Sequence, residues 1–197
     1  NDIPNARNTQ IVNTDTDRFG VYFQDLISIT EQFKVLAGLR WSWQEAEVST
    51  YKETSGDGKP EGSEPTVGAK KLDNAFSPKL GIVYQPSTDV SLFASYSNSF
   101  SPNTGTTVDL EPIKPSIIDQ YEAGIKKDFW KGVLSTNITM YQITNSNLAQ
   151  TAEFKADGSI NTDTTIKTLS GETKSKGVEV DITARPIQGL SIIAGYS

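Results

Sequence analysis

Apolar and polar residues alternate with a period of two through most of this chain. From Phe33 to Gln44 the odd positions are Phe33, Val35, Ala37, Leu39, Trp41 and Trp43; the even ones are Lys34, Leu36, Gly38, Arg40, Ser42 and Gln44. Successive side chains of an extended strand point to opposite faces, so this segment reads as a strand with one apolar and one mostly polar face. The pattern returns in Val90, Leu92, Ala94 and Tyr96 against Ser91, Phe93, Ser95 and Ser97. It returns again in Val178, Val180, Ile182 and Ala184 against Gly177, Glu179, Asp181 and Thr183. Leu80, Ile82 and Tyr84 share a face, as do Tyr121, Ala123, Ile125 and, beyond Lys127, Phe129. Leu134, Ile138 and Met140 face away from Ser135, Asn137, Thr139 and Tyr141, whereas Arg18 to Ile29 is less regular because Asp25 interrupts it. The pattern predicts about eight strands, at 17–29, 33–50, 74–85, 90–100, 118–129, 133–146, 174–186 and 190–197.

The connections narrow the fold class. Short turns are expected at Thr30–Gln32, Pro86–Asp89, Lys131–Gly132 and Ile187–Gly189, with long polar segments at 51–72, 101–117 and 147–173 between them. Strict alternation of tight turn and long loop is the layout of an antiparallel up-and-down transmembrane β-barrel. A soluble sandwich spaces its turns more evenly. The Pro86–Asp89 turn predicts in particular that 74–85 and 90–100 form an antiparallel hairpin. Aromatic residues sit toward strand ends: Phe33, Tyr84, Phe129 and Trp130 beside short turns, and Trp41, Trp43, Phe100 and Tyr121 toward the long segments. That placement fits two membrane girdles; the alternative is ordinary core aromatics of a sandwich.

Composition changes the picture mainly by exclusion. The 197 residues carry 18 Lys+Arg against 24 Asp+Glu, a net charge of -6, which lacks the basic face a nucleic-acid binder needs. There is no Cys and no His, so a disulfide framework, a thiolate metal site and a Ser-His-Asp triad are all impossible within this chain. No apolar run is long enough for a transmembrane helix, but barrel strands never produce one. No arrangement of carboxylates, or of Ser with Lys, suggests catalysis; no enzyme activity and no cofactor is expected.

Several strings, in order, resemble one family. Arg18–Asp25, a tight turn and Leu36–Arg40 are similar to barrel strands of TonB-dependent siderophore receptors. So are Phe76–Tyr84 followed by Leu92–Pro102, and the Glu111-Pro112 segment leading to Asp119–Lys126 and Asp128–Ser135. Gly171-Glu172, Ser175–Val180 and Gly189 through Ala194–Ser197 complete the resemblance. It implies that 1–197 is part of one β-barrel domain, a middle-to-late third of a barrel of about 22 strands. It also implies that the plug domain, the TonB-contacting segment and the C-terminal strands lie outside these residues. The function implied is ligand-gated, energy-coupled import through the bacterial outer membrane. The implied partners are a ferric siderophore or related small ligand, the TonB complex through the plug, and outer-membrane lipid, with no nucleic acid. The competing function is a soluble β-rich binding or adhesion domain with no transport role.

Candidate ligand-binding residues are few. Gln44, Gln120 and Tyr141 fall on the polar face near the outward end of their strands, where a ligand would be met. Asp157, Ser159, Asn161 and Asp163 have the first four spacings of a calcium loop, but Thr162 replaces its glycine and Thr168 its final glutamate. They are expected to form a polar loop with an Asp157-Gly158 turn, and Gly56–Pro60 a flexible loop tip.

Overall fold

The computed structural model describes residues 10–52, 64–68 and 70–197. Gly56–Pro60 lies outside them. Its strands are β1 (Gln10–Ser28), β2 (Phe33–Lys52), β3 (Thr66–Val67), β4 (Lys71–Ser87), β5 (Val90–Ser101), β6 (Ser116–Phe129), β7 (Leu134–Thr151), β8 (Lys167–Ala184) and β9 (Ile192–Tyr196). They form an antiparallel sheet in the order β1-β2-β4-β5-β6-β7-β8-β9, with the two-residue β3 on β2. Every long strand pairs with its sequence neighbour, as an up-and-down barrel wall requires.

The described residues fall into two compact units: those within 1–20 and 42–74, and those within 21–41 and 75–197. In the first, β3 lies on β2 through the pairs Ser49↔Val67 and Thr50↔Thr66. Lys70 meets Glu45 at 2.6 Å, and Lys71 meets the buried Asp73 at 3.0 Å.

The second unit holds the predicted hairpin of β4 and β5, registered from Lys79↔Ser97 to Tyr84↔Leu92. Its register carries whole rows of like residues across the sheet. Tyr84, Leu92, Ile125, Ile138, Val180 and Tyr196 form one row, and Ile82, Ala94, Ala123, Met140 and Val178 the next. The apolar faces read from the sequence are therefore one continuous surface. That surface is exposed: Met140 is 60 % accessible, and Leu80, Ile82, Leu92 and Val178 are also open. Among the described residues only Ile113 and Ala152 are buried hydrophobics. A water-soluble protein rarely leaves an apolar patch of this extent uncovered.

Band height agrees. Phe129 at the short-turn end and Asp119, the first acidic residue of that β6 face, are ten steps apart, about 33 Å at the strand rise. Tilted by roughly 40° that spans ~25 Å, the height of a barrel's apolar band. Lys127 is the one cation of β6 on this face. It turns to Asp89 at 2.8 Å and lies 5.4 Å from the Phe129 ring centre, so its charge reaches the boundary.

The strands overrun the expected boundaries at the long-loop end. β7 continues to Thr151 and β8 begins at Lys167, so the 147–173 segment keeps only about half its length as loop. Beyond the apolar band Leu148, Ala149 and Leu169 fall among polar residues without a period of two, so the alternation that marks a strand disappears although the backbone ladder continues. A register shift between Asn145 and Leu148 accommodates Asn147 at φ 57°, a conformation asparagine tolerates better than most residues. At the opposite end, Trp130, Lys131 and Gly132 all have positive φ and turn the chain from β6 into β7. Trp130 is 72 % exposed there, beside Phe129 at a ring-centre distance of 6.2 Å.

Candidate functional site

The polar face of the second unit, from Lys34 of β2 to β8, is stitched together by its own side chains. Lys34 donates to Gln85 at 2.9 Å, and Gln85 donates to Ser91 at 3.0 Å. Further out, Gln120 donates to Glu122 at 2.6 Å and the Ser95 hydroxyl lies 3.5 Å from the other carboxylate oxygen. Asn137 donates to Asp181 at 3.1 Å and to Thr139 at 3.2 Å. These donors and acceptors largely satisfy one another, although the Asn137 Oδ1 is buried without a protein partner.

Two aromatic rings lie across this face, each seated on a glycine of the next strand. Phe93 opposes Gly124 in register, and a Cβ there would come within 2.6 Å of the ring. Tyr141 opposes Gly177, where a Cβ would stand 2.5 Å from the phenol oxygen. Glycine lets the ring cover the backbone, and the pair pins the register. Lys126 places its ammonium 5.5 Å from the Phe93 ring centre, within cation–π range.

Of the sequence candidates, Gln120 and Tyr141 come together: Tyr141 is the register partner of Glu122, to which Gln120 donates. Gln44 lies on β2 in the first unit. Glu122, Phe93 and Lys126 were not singled out in the sequence, because their significance depends on which residue stands opposite.

Above the wall, the two long segments of this unit fold on each other. The Thr106 amide donates to the Thr165 carbonyl at 3.0 Å, and the Lys167 amide donates back to Thr106 at 2.7 Å. This makes a parallel bridge, Thr106↔Ile166, beside the antiparallel strands. Ile113 is fully buried and Ala152 is 4 % exposed, the small core of this cap. Ser116 and Asn103 both donate to the Asn147 carbonyl at 3.1 Å and fasten the first loop to the bulge in β7.

The calcium-like residues form turns. Phe154↔Ile160 bridge a small hairpin with Gly158 at φ 80° at its tip. Asp157 accepts from the Ser159 hydroxyl and amide, and Asp163 from the Thr165 hydroxyl and amide; those bonds hold both carboxyls below the ordinary carboxylate range. At the short-turn end, hydrogen bonds from Lys127 and then Ser87 lower Asp89 to about 2.

The family model described as TonB dependent receptor-like, beta-barrel matches residues 1–197. The metal-pseudopaline receptor CntO of Pseudomonas aeruginosa is 26 % identical over 183 residues, covering 93 % of this chain and 24 % of that protein. The ferric-pyoverdine 358 receptor of Pseudomonas putida is 25 % identical over 178 residues, covering 90 % and 20 %. The chain thus spans a quarter or less of these relatives' length. Among solved structures, the siderophore receptor PiuA from Acinetobacter baumannii superposes with a TM-score of 0.74 at 22 % identity, over 93 % of this chain and 25 % of that one.

Proposed function

This chain belongs to the TonB-dependent receptor-like β-barrel family, and from that premise we propose that it builds part of the wall and outer loops of a receptor importing ferric siderophores. The receptor resides in the bacterial outer membrane, where the family works. One observation carries the reading: the large apolar side chains are outside and exposed, while the opposite polar face is bonded within itself. That inversion suits a sheet with lipid on one side and a polar lumen on the other. Relatives described as ferric-pyoverdine and metal-pseudopaline receptors support the metal–siderophore substrate class.

In this reading 1–197 is a stretch of one barrel domain, and the protein is a transporter with no chemical step of its own. The ligand meets the interlocked loops first and then the outward lumen face. Gln120, which donates to Glu122, and Tyr141, the cross-strand partner of Glu122, are the proposed contacts on this wall; Gln44 on β2 is proposed as a contact in its own unit. Import is driven by the TonB complex acting through a plug. Deleting the gene of the receptor that carries this chain and measuring radioactive iron uptake from a panel of ferric siderophores tests this directly. Uptake from at least one siderophore should vanish, and the wild-type uptake should require TonB. Unchanged uptake from every siderophore supplied would overturn the proposal.

A further inference from the structure

A uniform lipid-facing wall needs no groove, yet this apolar face has one. Ala94 and Ala123 oppose each other in the β5–β6 register and leave a low floor. Around them lie two depressions of about 690 and 510 Å³ that share Ile82, Ala94, Ala123 and Met140, so they form one groove. Toward the short turns it is walled by Leu92, Ile125 and Ile138. Toward the long loops it ends at Tyr96, Tyr121 and Lys176.

The charge at that end is specific. Lys176 pairs in register with Gln142, whose side chain shares its face. The nearby carboxylates are already engaged. Asp119 accepts from the Tyr96 hydroxyl at 2.7 Å and from Asn98 at 2.9 Å, and Glu172 pairs with Lys174 at 2.9 Å. The Tyr96 and Tyr121 rings, 5.0 Å apart, stand where an aromatic belt marks the change from hydrocarbon to headgroups. An apolar groove thus leads to an ammonium at headgroup level, in a chain whose net charge is -6.

We propose that this groove and Lys176 bind one outer-leaflet lipid carrying an anionic phosphate headgroup. An acyl chain lies over Ala94 and Ala123, and the phosphate rests on Lys176 with the Gln142 amide as a neutral donor. The site rests on the assignment of this face to lipid made above.

The test uses the whole receptor, purified in detergent, with bound lipid counted by native mass spectrometry. The probes are dipalmitoyl phosphatidic acid, dipalmitoylglycerol (the same chains without phosphate) and inorganic phosphate. Phosphatidic acid should bind saturably and the other two far more weakly. Lys176→Ala should weaken phosphatidic acid by about tenfold, the scale of one charge-assisted contact. The milder Lys176→Gln should lower it less, and Ala123→Phe, which fills the groove, should also lower it. Lys127→Ala, a lysine at the other end of the same face, should leave it unchanged. Equal retention after Lys176→Gln and Lys176→Ala as in the wild type, or equal binding of dipalmitoylglycerol, would overturn the site. A spin label at Met140→Cys separates the two levels of the idea. If the label is lipid-exposed while phosphatidic acid fails to bind, only the site falls; a label shielded from lipid removes the facing assignment as well.

Discussion

The wall of β4–β8 and the cap formed by 101–115 with 152–166 are built by opposite rules. The wall turns Leu80, Ile82, Leu92 and Met140 outward and bonds its polar groups to one another on the inner side. The cap has a small core and exposes Leu110, Phe154 and Ile160 around it. It buries Ile113 and Ala152 and leaves Asp157 and Asp163 at the surface in their own turns. The difference teaches that the chain is matched to two solvents, and that the change falls at one level, where Tyr96 and Tyr121 meet Asp119 and Asn98. The continuous exposed apolar rows belong to the band.

The largest expected effect breaks the wall's side of this contrast. Leu92 pairs with Ile125, midway between Phe129 and Tyr121 on the apolar face. Leu92→Arg should cost about 2–4 kcal/mol in lipid, whereas Ser95→Arg, facing Glu122, should cost little. Reversible unfolding of both variants of the full-length receptor in bilayers checks this; equal losses would mean that both faces are packed against protein.

Next in size is the ring-on-glycine device. Gly124→Ala places a Cβ 2.5 Å from the Ile138 carbonyl and 2.6 Å from the Phe93 ring, an overpacking worth about 1–3 kcal/mol. Phe93→Ala in the same background should recover part of that loss in the same unfolding assay. Full additivity of the two changes would show that the ring does not lie on the glycine.

The cap should respond locally. Ile113→Val leaves a methyl-sized gap in its core and should cost about 0.5–1.5 kcal/mol. The loss should appear as faster amide exchange in 101–115 and 152–166, with exchange in β5–β8 unchanged. Global destabilisation instead would erase the distinction between cap and wall.

The smallest effect is electrostatic. Because the folded Asp89 carboxyl is lowered from 3.8 to about 2, its contribution is complete above pH 4 and is lost as the pH falls through about 2. Asp89→Asn should therefore be less stable than wild type at pH 6, with the difference shrinking toward pH 2. Asp89 and Lys127 are both half-exposed, so added salt should shrink the difference as well.

The band was legible in the sequence and the cap was not. Leu80, Ile82 and Tyr84, or Val178, Val180 and Ile182, announce a lipid-facing strand because each second side chain meets one solvent and its neighbour another. Above the band that contrast ends, so β7 runs on to Thr151 and β8 starts at Lys167 without a signal. Gln120 and Tyr141 could be placed on the polar face by counting. Their meeting at Glu122, and the seating of Phe93 on Gly124, depend on cross-strand register, which no single strand contains. The Thr106↔Ile166 bridge joins segments whose sequences carry no pairing pattern at all.

That bridge has a consequence for how the chain matures. Thr106 and Ile166 are separated in sequence by β6, β7 and their turn, so their contact is of long range and closes late. The two backbone bonds at Thr106 can form only when the strands between have settled into their final pairing. A slip of one residue in β7 or β8 would displace Ile166, which immediately precedes β8, by about 3.3 Å, enough to break both bonds. These two segments therefore assume this shape only on a correctly assembled hairpin stack, and a one-residue slip would leave them unlatched.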